Sequence, residues 1–502
     1  MKVAFFAPYS CHLRLFETEL DLMQQELDAD NKVYFLSCSA LLPICEPNPE
    51  HELELCATCC TRMKRGIKLL SPKPIVRKIM SCVVKQDHVD FKKLKTEFQD
   101  SRELKEYSFD GFNIGFGVLS SLIDYSEDPE PDTTLHAKKI KAFMSTAFYV
   151  FRSVRHFISK YSVDKIYLFN GRHAFENAVI SAARQSGIDF MTYEFGHDWS
   201  HYELNRNALP HDREPKRKAV LELWEESKES FFTKVKVGNK FYKNNISGKP
   251  ENYLSYTGNQ QKNVLPDNWS KEFSNISIFN SSEKEWEVTS DCRQNWFYPN
   301  QVVGIERILN DLSRKKHSLR LYLRMHPNMI GTDNHYTDKI YSLEKRFSFF
   351  FVIKPESKVC SYTLIKNSEK VLSFGSTPGI EAVYLGVPSV LAAEMNYDHL
   401  GCTYNPDSHE HLVEILVSRI APKPKLGAYI FGYYQRNYGL PYKHYQATAL
   451  FAGLFKGEDL SDNDKLEKKL LYNLHRKKLH ILYNLTRFLF NKRSNLFGKV
   501  KI

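Results

Sequence analysis

The segment Val371–Leu391, VLSFGSTPGIEAVYLGVPSVL, carries the densest grouping of residues able to recognise an anion. An apolar strand ends in Gly375-Ser376-Thr377, Pro378 and Gly379 open a helix, and Glu381 falls in its first turn. N–H groups at a helix start, two hydroxyls and the positive end of the helix dipole together favour a phosphate. Glu381 stands where a carboxylate could accept both hydroxyls of a ribose; the alternative is a glycine-rich turn in which it only stabilises the helix N-terminus. Arg324-Met325-His326-Pro327-Asn328 follows another strand of the same half. Arg324 could grip a phosphate bidentately and His326 could donate to it, against the plainer reading of a solvated arginine and a turn-capping histidine. Ser361-Tyr362 and Ser281-Ser282 add hydroxyls at two further strand ends.

A second group could handle protons. Glu194, His197, Asp198 and His201, in TYEFGHDWSH, directly follow a strand, so a carboxylate or imidazole there could take the proton of an acceptor hydroxyl. Glu194 is the first choice for this catalytic base and His197 and Asp198 the next, with a polar loop that merely caps the strand as the alternative. Asn170 and Arg172, after the preceding strand, are acceptor-binding candidates, and His12 and Arg14, after the first strand, are further ones. Cys38, Cys45, Cys56 and Cys59 form a C-x6-C-x10-C-x2-C series that ends in a chelating pair suited to tetrahedral zinc. A structural zinc competes here with reduced thiols packed as small hydrophobes, and four thiolates would leave no open position for catalysis. The spacings Asp28-Ala29-Asp30 and Asp462-Asn463-Asp464 lie away from any strand's C-terminal end, so catalysis is expected to need no divalent cation.

The elements that would position these groups follow from periodicity. Lys2–Ala7 reads as a strand, residues 13–27 as a helix and Lys32–Ser37 as a strand, a βαβ unit and hence a parallel sheet. The glycine-rich dinucleotide fingerprint is missing after the first strand. Lys165–Phe169, helix 174–186 closed by Gly187, and Ile188–Tyr193 repeat the pattern. A second α/β set runs from the strand Asn275–Phe279 through helix 301–313 and the strands at Arg320–Leu323, Phe349–Ile353 and Lys370–Ser373 to a helix at Gly379–Leu385 and the strand Ser389–Ala392. The expected organisation is an N-terminal lobe over 1–205 with a cysteine-containing insertion, a polar connector over 206–270, a second lobe over 271–420, and a helical segment with a basic tail over 421–502.

The charge is uneven. The 502 residues carry 70 Lys and Arg against 59 Asp and Glu, a net +11. From Lys465 onward eleven Lys and Arg stand against Glu467 alone, so that tail holds ten of the eleven charges. A near-neutral body argues against nucleic acid as a partner, since phosphate neutralisation needs basic residues spread over a folded face. Residues 465–493 place leucines, Ile481 and Phe488 on one helical face and Lys469, Arg476 and Arg487 on the other, which suits an anionic membrane surface; the alternative is a helix packed back on the body. No run of 18 apolar residues occurs and the N-terminus lacks a signal-peptide pattern, so a cytoplasmic protein, peripheral on the inner membrane and with reduced cysteines, is expected.

Taken together, FNSSEKE, RMHPN, the Pro355…CSYTLI segment and SFGSTPGIEAVYLGVPSV resemble the nucleotide-sugar-binding half of bacterial surface-carbohydrate glycosyltransferases with the GT-B fold, the capsule and lipopolysaccharide group. Leu168–Gly196 resembles the segment such proteins carry in their N-terminal half, and the likeness extends over residues 1 to about 400. The resemblance implies an α/β fold of two Rossmann-like lobes with an interdomain cleft. It also implies a nucleotide-sugar donor held by Arg324, His326, Ser361, Gly375, Ser376, Thr377 and Glu381, and a glycan or glycolipid acceptor. A non-hydrolysing nucleotide-sugar epimerase and a non-catalytic component of the capsule machinery are the alternatives.

Overall fold

The computed structural model describes residues 1–249, 260–282 and 297–461. These described residues divide into two compact units, one drawn from 1–126, 130–210 and 439–461, the other from 127–129 and 211–438. Both are α/β, and both are built on parallel strands with helical crossovers.

In the first unit β1 (Lys2–Phe6), β2 (Lys32–Ser37), β3 (Ile75–Lys78), β4 (Lys165–Phe169) and β5 (Asp189–Phe195) pair in parallel in the order β3-β2-β1-β4-β5. Two further strands, β6 (His201–Arg206) and, at the edge, β12 (Leu440–Pro441), extend the sheet antiparallel beyond β5. Val3, Ala4, Phe5 and Phe6 are all buried, the mark of a parallel strand covered on both faces. The chain's return is fixed by one carboxylate: Asp21 Oδ1 accepts the amides of Lys443, His444 and Tyr445 at 3.1, 2.5 and 3.0 Å.

In the second unit β7 (Ser274–Asn280), β8 (Leu319–Arg324), β9 (Phe350–Ile353), β10 (Lys370–Phe374) and β11 (Ser389–Leu391) form an all-parallel sheet in the order β11-β10-β7-β8-β9. Alternate residues serve its two faces. Ile276, Ile278, Leu321, Leu323 and Leu372 pack on Ile305, Ile308, Leu309 and Leu312 of helix Gln301–Ser313. Phe279, Tyr322 and Val371 pack on Leu364 and Ile365. Burying each such side chain contributes roughly 1.5–3 kcal/mol.

Numbered from its own first strand, each unit has the strand order 3-2-1-4-5 of a Rossmann half, with chain direction switching beside its first strand. The first unit therefore switches between β1 and β4, and the second between β7 and β10. Ligands in such sheets bind outside the carboxyl ends of the strands at that point.

Two expected boundaries change. Residues 206–270 are not a free connector: helices Arg213–Glu226 and Phe231–Ile246 pack in the second unit with helix Leu426–Tyr434, which in turn removes 421–438 from the expected C-terminal segment. These helices read as polar because they bury little beyond Val220, Gly238 and Tyr242. Helix Phe231–Ile246 packs on Leu426–Tyr434 by close backbone approach, since a Cβ on Gly238 would meet the Tyr429 carbonyl oxygen at 2.3 Å and one on Gly432 would meet the Gly238 oxygen at 2.5 Å. Tyr242 completes the seam by stacking on Tyr384 at 4.3 Å and donating to the Ala428 carbonyl at 2.6 Å. Residues 439–461 form short strands, and the amphipathic helix expected over 465–493 lies outside the described residues. Among the described residues no helix is long and apolar enough to cross a membrane. Gly238→Val is expected to lower stability by about 1–3 kcal/mol or more through overpacking, measured as the shift of the urea unfolding midpoint.

Candidate functional site

At the switch point of the second sheet, β10 ends in the Gly375 turn. Gly375 takes a left-handed φ of 68°, which a side chain would disfavour, and the turn is tied from inside. Ser376 O accepts from the Ser373 hydroxyl at 2.9 Å and from the Tyr397 hydroxyl at 2.7 Å, while a Cβ on Gly379 would strike that tyrosine at 2.5 Å. Thr377 is exposed at the start of helix Pro378–Leu385, which Pro378 opens and Gly386 closes at φ 80°. Glu381 is buried, and its Oε1 accepts from the Tyr362 hydroxyl at 2.9 Å and from Asn245 at 3.4 Å. Burial raises its carboxyl above the ordinary glutamate value despite those two donors.

His326 follows β8. Its Nδ1 accepts the Asn328 amide at 3.2 Å, so in the neutral ring the proton sits on Nε2 and the imidazole is a fixed donor. Burial, and then the Arg324 charge, lower its pKa to about 4. Arg324 itself departs from expectation. Its guanidinium donates to the carbonyls of Lys354, and of Pro355 and Ser357 at 3.3 Å each, and is almost wholly buried. It shapes the loop after β9 rather than offering a bidentate fork to a phosphate. Ser281 is likewise occupied, bridging the Phe374 carbonyl at 3.0 Å and the Gln301 amide group at 2.9 Å. Ser361 opens the short helix Ser361–Asn367 that supplies Tyr362, its own amide donating to Gln260 at 2.8 Å.

In the first unit the strand ends carry three groups. Beyond β5, Asp198 Oδ1 accepts from His201 Nδ1 at 2.6 Å and from Ser200, while the His197 ring lies 4.1 Å from that of His201. Burial raises the Asp198 carboxyl, but the hydrogen bonds from His201 and Ser200 outweigh it and hold the pKa below the usual aspartate value. An ionised aspartate on Nδ1 leaves Nε2 of His201 to take a proton, the orientation a general base needs. Glu194 sits one turn of the chain earlier with both oxygens engaged, by Asn170 Nδ2 at 3.0 Å and the Phe195 amide at 3.0 Å. Arg14 is buried at the helix start after β1, stacks 4.4 Å over Phe195 and donates to the carbonyls of Asp198 at 2.8 Å and His201 at 3.2 Å. It fixes the proton-handling loop rather than meeting an acceptor. His12 is exposed, with its carbonyl held by Arg62.

The second group, above β1 and β4, was not visible in the sequence. Glu46, His173 and Glu176 place ligand-type atoms within 4.8 Å of one another. Arg172, expected to bind acceptor, instead pairs with Asp124 at 2.6 Å, and the same Asp124 oxygen accepts from His173 Nε2 at 2.8 Å. Both Glu176 oxygens, His173 Nδ1 and the facing Tyr9 hydroxyl lack a well-formed hydrogen bond. Burial pushes the Glu46 and Glu176 carboxyls up to about 7 each. The signal that could have found this group is a glutamate on the apolar face of helix Ala174–Gln185.

The third group is a cavity of about 30 Å³ above β1 and β2, lined by Cys38, Cys45, Cys56 and Cys59 and also by Cys11 and Cys60. No three of these thiols are among the clusters that close to within 4.8 Å, whereas tetrahedral zinc sets its sulfurs about 3.8 Å apart. Asn48 donates to Cys56 at 3.4 Å, and a mutual hydrogen bond lowers the Cys11 thiol and raises that of Cys59. Burial raises Cys38, Cys45, Cys56 and Cys60.

The His326 shift gives a signed prediction. Between pH 6.5 and about 4 the unfolded chain binds a proton that the folded imidazole refuses, so stability is full above pH 6.5 and falls on acidification through that window. His326→Asn is expected to remove on the order of 1–3 kcal/mol of that acid sensitivity, read as a shallower slope of melting temperature against pH.

No protein-family model matches the chain, and no curated protein matches it. Among solved structures, a KpsC beta Kdo 2,4 transferase from Thermosulfurimonas dismutans aligns at 12% identity and a TM-score of 0.36, over 54% of this chain and 79% of that one. The beta Kdo 2,7 transferase of the same KpsC aligns at 12% and 0.33, over 64% and 89%. A UDP-GlcNAc 2-epimerase from Neisseria meningitidis, bound to UDP-GlcNAc, aligns at 10% and 0.25, over 87% and 98%. At such scores the likenesses do not bear on activity, and the fold rests on the strand orders above.

Proposed function

We propose that the chain is a glycosyltransferase that draws a sugar from a nucleotide-sugar donor and passes it to a hydroxyl of a capsule or lipopolysaccharide glycan. One observation carries the donor half: at the switch point of the second sheet a buried carboxylate, Glu381, stands within one helical turn of the exposed helix start at Thr377. A ribose diol suits the carboxylate, and a phosphate suits the amides of the helix start. His326, neutral and donating from Nε2, adds a hydrogen bond to the phosphate as it leaves, and these dipoles stabilise the charge that develops there without a cation. Ser376 and Gly375 shape the turn that brings the chain close to the phosphate, and Ser361 positions Tyr362 against Glu381.

For the acceptor half, the Asp198–His201 pair replaces Glu194 as the preferred base. His201 Nε2 takes the proton of the acceptor hydroxyl as the new glycosidic bond forms and the bond from sugar to phosphate breaks. His197 stacks beside it, and Asn170 holds Glu194 in the same loop region. The basic tail, 465–502, would keep the enzyme on the cytoplasmic face of an anionic inner membrane, where its ten excess charges find anionic lipid. A structural zinc on Cys38, Cys45, Cys56 and Cys59 remains a separate proposal and requires those thiols to close in around the ion.

Thermal shift with CMP, UDP and GDP sugars tests the donor half. One nucleotide class should raise the melting temperature, and Glu381→Ala should weaken that response at least about tenfold, the cost of one lost charged hydrogen-bond acceptor. Unchanged nucleotide binding in Glu381→Ala would overturn the assignment. Turnover of the sugar nucleotide without any acceptor would favour an epimerase. His201→Ala should lower kcat by about 100-fold or more with nucleotide affinity unchanged.

A further inference from the structure

We infer that Glu46, His173 and Glu176 form a resident binding site for a first-row divalent cation at the switch point of the first sheet. The donors come from three places the fold brings together: the loop after β2, the turn after β4, and the first turn of helix Ala174–Gln185. Their ligand atoms lie within 4.8 Å of one another, a spread that a cation at about 2.0–2.2 Å from each donor can draw in.

Three observations support a metal over a mere acidic patch. First, the orphaned atoms are the ones a metal would need. Glu176 is 1% exposed and has only the 3%-exposed Tyr9 hydroxyl facing it, without a well-formed hydrogen bond to either oxygen, and His173 Nδ1 is buried with no such bond. Groups so buried are normally satisfied, and one tyrosine hydroxyl cannot serve both Glu176 oxygens and His173 Nδ1, which leaves room for a shared partner. Second, His173 is already arranged as a ligand. Asp124 can only accept, so its 2.8 Å bond to Nε2 places the ring proton there and leaves the Nδ1 lone pair for a cation, the carboxylate–histidine relay that orients metal-bound imidazoles. Third, the charge closes. With both glutamates bound as carboxylate ligands, Glu46, Glu176 and Asp124 would carry three negative charges against the one positive of the paired Arg172 guanidinium, and a divalent cation would cancel the remaining two.

The donor set chooses among cations. Two carboxylates with one imidazole suit manganese, iron or zinc, whereas calcium takes six to eight oxygens and magnesium prefers oxygen and water. The expectation of metal-free catalysis rested on Asp-x-Asp spacings, which report nothing about a site assembled from three loops. The proposal stands apart from the nucleotide assignment, since it concerns the first unit and is read by metal content rather than turnover.

The test uses full-length protein stripped with EDTA and reloaded with ZnCl2 or MnCl2. One equivalent of metal should remain after desalting and raise the melting temperature; Glu176→Gln and His173→Asn should each lose it, Asp124→Asn should weaken it about tenfold or more, and Cys56→Ser should keep it. Because a core variant could fail to fold, zinc X-ray absorption on the unmutated protein supplies an independent reading. A shell of nitrogen and oxygen at about 2.0–2.1 Å with a single imidazole supports the site, two imidazoles overturn it in favour of His197, Asp198 and His201, and a sulfur shell at about 2.3 Å overturns it in favour of the cysteines. Absence of bound metal, or its retention in both folded Glu176→Gln and His173→Asn, also overturns it.

Discussion

A parallel sheet covered by helices on both faces leaves its polar groups only one place to emerge, the ends of its strands. Both units obey this constraint. Their central strands are apolar on each face, Val3 to Phe6 in one and Ile276 to Phe279 in the other apart from Ser277, which is satisfied by Ser368. Side chains that carry chemistry therefore gather in the loops that follow the strands, and the shared strand order opens one gap in each sheet, where Glu381 and the Glu46, His173 and Glu176 group lie. The distribution of Glu381, His326, Asp198, His201, Glu46 and Glu176 is a consequence of this layering.

The two crests solve the burial of charge differently. In the second unit the polar groups are tied down: Arg324 by three carbonyls, Ser281 by Phe374 and Gln301, Glu381 by Tyr362 and Asn245. Such satisfied networks hold a rigid surface against which a ligand can be positioned. In the first unit Asp198 is satisfied by His201 and Ser200, yet Glu176, with only Tyr9 facing it, and His173 Nδ1 lack well-formed hydrogen bonds in a buried setting where an unmet polar group is costly. That contrast is why the proton-handling loop and the cation site are assigned to different groups of one crest.

The parts of this architecture legible in the sequence are those set by local pattern. The apolar runs at Lys2–Phe6, Lys165–Phe169 and Lys370–Phe374 gave their strands within a residue or two, and helix 174–186 was found by its period and its closing glycine. Edge strands β3 and β12 escaped because an edge residue needs no second apolar face, and β6 because its run HYELNR is largely polar. Helix Phe231–Ile246 escaped because its packing runs through glycine backbone, which no hydrophobic pattern reports, and helix Arg213–Glu226 because it buries little beyond Val220. At the site, the Gly375–Glu381 turn is contiguous and was readable. The role of Arg324 was not, since its partners lie thirty or more residues away, and Glu46, His173 and Glu176 meet only in three dimensions.

The central claim is that the strand ends of the second unit hold a nucleotide. Hydrogen–deuterium exchange with a nucleotide of demonstrated affinity tests it most directly, because backbone amides report binding without mutation. Protection over residues 374–381 and 326–329, with the β1, β4 and β5 strand ends unchanged, is the predicted result. Binding that leaves 374–381 unprotected, or that protects the first unit's strand ends instead, would contradict the account.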